Sequence, residues 1–156
     1  CVYGDAGFGR LVQRGKYVDG DFSQELVDGS AEAIREHWHL MSATWVTALP
    51  SAARAGIVDR FARRLAARLG LPYVETLSVR TEGRPQKEMQ NSVQQSSNAM
   101  SRLGVVEPAV RDGPVLLVDD IVDSRWTLTV SGWLLRSHGS GPVYPFALAQ
   151  ATSSDD

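Results

Sequence analysis

The spacing of apolar positions changes several times along this chain, and each change marks a new element. From Asp21 to Trp38, the residues Leu26, Val27, Ala33, Ile34 and Trp38 recur at helical intervals. One amphipathic helix is expected there, with Asp21 or Ser23 as its cap. Thr44-Trp45-Val46-Thr47-Ala48-Leu49 is a continuous apolar, β-prone run that stops at Pro50-Ser51, which predicts a buried strand and a tight loop. Residues 55–69 return to helical spacing, with Ile57, Val58, Phe61, Leu65 and Leu69 on one face. Gly70 sits at the C-terminal cap and Pro72 bars continuation. Tyr73 to Val79 reads as a second strand. Residues 80–104 are polar and hold no strong strand, although Met89, Val93 and Met100 allow a short helix. Val115-Leu116-Leu117-Val118 is the clearest strand, a helix follows from about Trp126 to Ser137, and Val143 to Ala149 is a last strand. The order strand, helix, strand, loop, strand, helix, strand predicts an α/β fold with a largely parallel sheet. The glycine-rich residues 1–21 read as a linker or hairpin, and residues 152–156 as a disordered tail.

Composition narrows the class. The chain has 156 residues, 43% apolar and 22% charged, which suits one domain with a real core. No apolar run reaches the ~20 residues that span a bilayer, so no membrane partner and a cytoplasmic location are expected. The net charge of −2 argues against a dominant grip on nucleic acid. The single cysteine, Cys1, cannot form an internal disulfide, and a start at Cys rather than Met suggests a piece of a longer protein.

Candidate chemistry gathers after the third strand. Val115-Leu-Leu-Val-Asp119-Asp120-Ile-Val-Asp123-Ser124-Arg125-Trp126-Thr127 delivers two carboxylates at a strand end and then opens a helix. In open α/β sheets ligands sit at that edge. A helix N-terminus with hydroxyls nearby suits a phosphate, and paired acids suit ribose hydroxyls or a hydrated divalent cation. Together they predict a sugar-phosphate site.

This segment resembles the phosphoribosyl-pyrophosphate motif of type I phosphoribosyltransferases, over about residues 41–150. The resemblance implies a three-layer, mostly parallel α/β fold of that type, with residues 1–40 as an N-terminal linker and helix and 41–156 as the phosphoribosyltransferase-like domain. It implies ribose and metal roles for Asp119 and Asp120, with Mg²⁺ as cofactor. It places Asp123, Ser124, Arg125, Trp126 and Thr127 around the 5′-phosphate, with Asp123 as candidate general base; helix capping explains Asp123 equally well. Pro50, Ser51 and Arg54 become the pyrophosphate loop and residues 80–104 the mobile flap. Arg84-Pro85-Gln86 followed by Asn98 is also similar to competence-type members. The family carries glycine where this chain has Arg125, so a Cβ there is expected to cost room or strain, while the guanidinium supplies charge.

The whole chain, including Gly7-Phe8-Gly9-Arg10 through Lys16 and the 21–38 helix, is also similar to the C-terminal phosphoribosyltransferase-like domain of bacterial RecQ-like ATP-dependent DNA helicases. That resemblance implies an accessory domain that binds a ribose phosphate or nucleotide without efficient turnover, with DNA reached through the parent helicase and a nucleoid-associated location. An active Mg-dependent phosphoribosyltransferase and a DNA-binding module are the alternatives. For the last, Arg60, Arg64 and Arg68 form a helical stripe that suits DNA phosphates or simply a solvated face. His37 and His39 are read as a helix end rather than metal ligands. Trp126 and Trp133 are expected in the core, with base stacking as the other role for Trp126.

Overall fold

The computed structural model describes residues 1–37, 42–50, 56–79, 103–106, 109–123 and 125–151. Their order is α1 (Phe8–Arg14), a π-helical turn (Gly15–Asp19), α2 (Gln24–His37), β1 (Trp45–Ala48), α3 (Ile57–Leu69), β2 (Leu77–Val79), β3 (Leu103–Val105), β4 (Val115–Val122), α4 (Trp126–Ser137) and β5 (Val143–Gln150).

Strands β1, β4 and β5 form a parallel sheet in the order β1-β4-β5, with Trp45 opposite Val115 and Val115 opposite Val143. Two short backbone segments extend its edges. Beyond β1, Tyr73 bridges Val46, and the Val46 N–H donates to Pro72 O at 2.9 Å. Beyond β5, Val2 bridges Gln150, and the Tyr3 N–H donates to Gln150 O at 2.9 Å. The chain therefore leaves β1 through α3 toward one edge and leaves β4 through α4 toward the other. The carboxyl ends of β1 and β4 flank the point where the winding reverses, which is where open α/β sheets bind ligands.

Helices cover both faces. Strand alternation sends Leu116 and Val118 into a cluster with Val46, Phe61, Leu65, Leu26 and Val12. Val115 and Leu117 face a second cluster with Trp45, Leu77 and Leu135 of α4. The expected three-layer, mostly parallel α/β fold is the one observed. Leu116 is fully buried, so Leu116→Ala removes about 3 kcal/mol or more of stability.

Three features depart from the sequence reading. Residues 8–14 are helical rather than a linker or hairpin, because Val12 reaches the core and Leu11 packs on it. Leu103–Val105 is a strand, antiparallel to Leu77–Val79, within a stretch expected to hold none. Three residues, one of them glycine, are too short to show periodicity, yet Leu103 is buried. Tyr73 meets the parallel sheet through a single bridge to Val46, whereas Leu77–Val79 pairs with β3 in a separate two-stranded sheet. The expected helix cap is confirmed at Ser23, whose Oγ accepts the Leu26 N–H at 3.4 Å. The 152–156 tail, Trp38 and His39, and the 80–102 flap with Arg84, Pro85, Gln86 and Asn98 lie outside the described residues.

Candidate functional site at the carboxyl ends of β1 and β4

Strand β4 continues to Val122, so Asp119 and Asp120 lie within its paired region, with Asp119 opposite Ala147. Each carboxylate accepts the next backbone N–H: Asp119 Oδ1 from Asp120 at 2.8 Å and Asp120 Oδ1 from Ile121 at 2.7 Å. The two carboxylates are consecutive in the chain, as the sequence motif requires. Burial first, and then the Asp120 charge, push the Asp119 carboxyl up to about 7, while the Asp120 N–H and Lys16 pull the other way.

Lys16 is the participant that the sequence reading missed. Its Nζ lies 2.8 Å from Asp120 Oδ2, with the lysine side chain 24% and the aspartate side chain 9% exposed. The signal was not local, since the two residues are more than a hundred positions apart and meet only because the N-terminal segment pairs with β5.

β4 ends at Val122 and α4 begins at Trp126. Asp123 is exposed on the bend, Ser124 lies outside the described residues, and Thr127 is half-buried in the first helical turn. Arg125 has φ −68° and ψ −8°, within the ordinary right-handed region. The expected strain from replacing glycine there is therefore absent: this backbone takes any L-residue, and the Arg125 carbonyl accepts the Thr129 N–H at 3.0 Å to start the helix. Trp126 is 38% and Trp133 57% exposed, so neither is a core residue. Their helix buries Val130, Ser131 and Leu135 instead, and the two tryptophans fall away from that stripe.

At the neighbouring strand end, the Leu49 N–H donates to Val118 O at 2.9 Å and fixes the departure of the β1 loop beside β4. Pro50 is half-buried, whereas Ser51 and Arg54 lie outside the described residues. A cleft of about 330 Å³ opens here, lined by Leu49, Pro50, Gly56, Asp59, Tyr73 and Glu75. Its polar wall was also not foreseen. The Tyr73 hydroxyl donates to Asp59 Oδ1, and Arg63 Nε donates to Asp59 Oδ2 at 2.7 Å with its guanidinium 4.4 Å from the Tyr73 ring centre. Burial acts to raise the Asp59 carboxyl, but the hydrogen bonds from Arg63 and Tyr73 outweigh it and hold the group below its ordinary value. Burial, reinforced by Asp59, raises the Tyr73 phenol.

The arginine stripe on α3 is occupied. Arg60 meets Asp21 at 3.4 Å and Gly20 O at 2.7 Å; Arg64 meets Phe22 O at 2.6 Å and Gln24 at 2.9 Å; Arg68 meets Asp28 at 2.8 Å. These contacts join α3 to the N-terminal segment. Among the described residues, no three His, Cys, Asp or Glu side chains converge as a metal-binding group, and no helix is long and apolar enough to cross a membrane.

Comparison with known proteins agrees with this architecture. The adenine phosphoribosyltransferase of Thermoanaerobacter pseudethanolicus is similar with a TM-score of 0.58 at 19% identity, over 90% of this chain and 71% of that one. The adenine phosphoribosyltransferase of Saccharomyces cerevisiae, solved with adenine and an imino-altritol bisphosphate, gives 0.56 at 19% identity over 81% and 67%. The purine phosphoribosyltransferase of Pyrococcus horikoshii gives 0.53 at 20% identity over 83% and 75%. At such identities these likenesses establish the fold. No curated protein sequence matches the chain significantly. None of these findings links the chain to a helicase. Residues 43–143 match the phosphoribosyl transferase domain, a span that contains β1, the β4 acids and the turn into α4, and the chain therefore belongs to the phosphoribosyl transferase domain family.

Proposed function

We propose that the domain is a phosphoribosyltransferase that moves phosphoribose from its pyrophosphate ester to a nucleobase-like acceptor. The observation that carries this reading is the passage of β4 through Asp119-Asp120 and one short turn into α4, beside the end of β1 at the reversal of the sheet. The purine and adenine enzymes of the same fold support a nucleobase as acceptor.

In this reading the free N–H groups opening α4, Thr127 and the Arg125 guanidinium receive the 5′-phosphate. Asp119 accepts from a ribose hydroxyl. Pro50, Ser51 and Arg54 are the candidate contacts to the pyrophosphate. The C1′–oxygen bond to pyrophosphate breaks as a bond from C1′ to the acceptor nitrogen forms. The nitrogen gives up its proton, for which Asp123 is the candidate base. The exposure of Asp123 on the bend suits that task, since it stands free to meet an incoming acceptor. Bound with the pyrophosphate substrate, Mg²⁺ would screen the charge of the leaving group.

A second reading, binding of a ribose phosphate or nucleotide with little turnover, is favoured by Arg125. Its long side chain stands at the helix entrance where the family has glycine. One assay decides: pyrophosphate release from phosphoribosyl pyrophosphate with a panel of nucleobases. The transferase reading predicts release with at least one base, reduced in Asp123→Asn. Calorimetric binding without release, in both the wild type and Arg125→Gly, selects the second reading. Neither binding nor release rejects both.

A further inference from the structure

Among the described residues most ion pairs lie on the surface, but one enters the proposed site. Lys16 Nζ sits 2.8 Å from Asp120 Oδ2, and the other oxygen of Asp120 already accepts the Ile121 N–H at 2.7 Å. Both oxygens of that carboxylate therefore have donors, and its side chain is only 9% exposed.

Lys16 is held there by packing. Gly15 is buried, and a Cβ on it would stand 2.8 Å from the Phe22 ring and 2.9 Å from Asp21 O. The segment that follows is clamped to α3 by Arg60 on Gly20 O and Arg64 on Phe22 O. The lysine is thus presented from a fixed backbone, not from a loose tail.

The charge balance makes this useful. Two adjacent carboxylates repel a phosphorylated sugar, and a divalent cation is one way to relieve the repulsion. An ammonium already in contact with one carboxylate is another. The geometry points to Lys16 as the resident cation of the acid pair: it neutralises Asp120, takes the place at that carboxylate which a divalent metal would otherwise fill, and leaves Asp119 to meet the ribose. The acids are then not a protein-held metal site. A ribose ester without pyrophosphate binds with no divalent metal. This inference rests on the phosphoribosyl reading of the site, and Lys16 in it is a positioning residue.

The test is calorimetric titration of ribose 5-phosphate into wild type, Lys16→Met, Lys16→Gln and Lys16→Arg, in EDTA and in excess MgCl₂, with the melting response to MgCl₂ alone recorded in parallel. Wild type and Lys16→Arg should bind equally in both buffers. Lys16→Met should bind at least about tenfold more weakly in EDTA and regain affinity in MgCl₂. MgCl₂ alone should raise the melting temperature of Lys16→Met and not of wild type. If Lys16→Met does not fold, Lys16→Gln keeps a donor without the charge and carries the same comparison. Wild-type binding that needs Mg²⁺, or Lys16→Met binding as tightly as wild type in EDTA, overturns the inference and leaves the phosphoribosyl reading intact. Absence of ribose 5-phosphate binding in every buffer removes that reading. The MgCl₂ melting response then still decides whether Lys16 serves as the cation, because a wild type stabilised as much as Lys16→Gln shows that it does not.

Discussion

Two sets of ion pairs join the N-terminal segment to the rest of the molecule, and they differ in surroundings rather than in chemistry. Along α3, Arg60 and Arg68 meet Asp21 and Asp28 with side chains about half exposed on both partners. At β4, Lys16 meets Asp120 where the acid is nearly sealed from water. Exposed pairs contribute ~0–1 kcal/mol and are screened by salt. A sealed pair adds little net stability over an apolar pair, yet breaking it strands a charge, at a cost of roughly 3–5 kcal/mol. The contrast teaches that the arginine stripe fastens the segment diffusely, whereas one lysine couples it to the site.

Among the ion-pair residues the largest effect should come from Lys16→Met, which strands Asp120. Its unfolding free energy should drop by roughly 3 kcal/mol in urea titration, with little dependence on salt. A loss under 1 kcal/mol would place Lys16–Asp120 with the surface pairs.

Next comes Asp119. Its carboxyl titrates near 7 in the folded protein against 3.8 as the ordinary value. Between those values the folded chain keeps a proton that the unfolded chain has lost, so this group's contribution to stability falls as pH rises through the window and is lowest above about 7. Asp119→Asn should therefore be more stable than wild type at pH 8, by on the order of 2 kcal/mol after solvent screening, with the gain vanishing toward pH 4. An equal difference at both pH values contradicts the burial of that charge.

Smaller still is Arg68→Ala, which should cost under 1 kcal/mol and less at high salt. Arg64→Ala should cost about 1 kcal/mol, since it also leaves Phe22 O without its charged donor. Larger, salt-insensitive losses at these arginines would erase the contrast.

The parts of the fold that were legible in the chain are those with strong local signals. The apolar runs at 44–49 and 115–118 became β1 and β4, the 55–69 periodicity became α3, and the Asp119-Asp120 pair falls in the last half of β4. What escaped detection was set by partners distant in sequence. Leu103–Val105 is a strand because Leu77–Val79 lies beside it. The segment 8–14 folds as a helix because Val12 finds a core built from α2 and α3. Trp126 and Trp133 look like core residues by type, but the α4 face that meets the sheet is chosen by Val130 and Leu135. Lys16 had no local reason to stand out, since its carboxylate arrives through two strand pairings.

The central claim is that the turn from β4 into α4 holds a phosphorylated ribose against Asp119. Titration calorimetry of phosphoribosyl pyrophosphate in MgCl₂, comparing wild type with Asp119→Asn and Thr127→Val, tests it most directly. The account predicts saturable heat for wild type and at least about tenfold weaker binding for each variant, with both variants folded. Equal binding by all three proteins, or no heat from any, would contradict it.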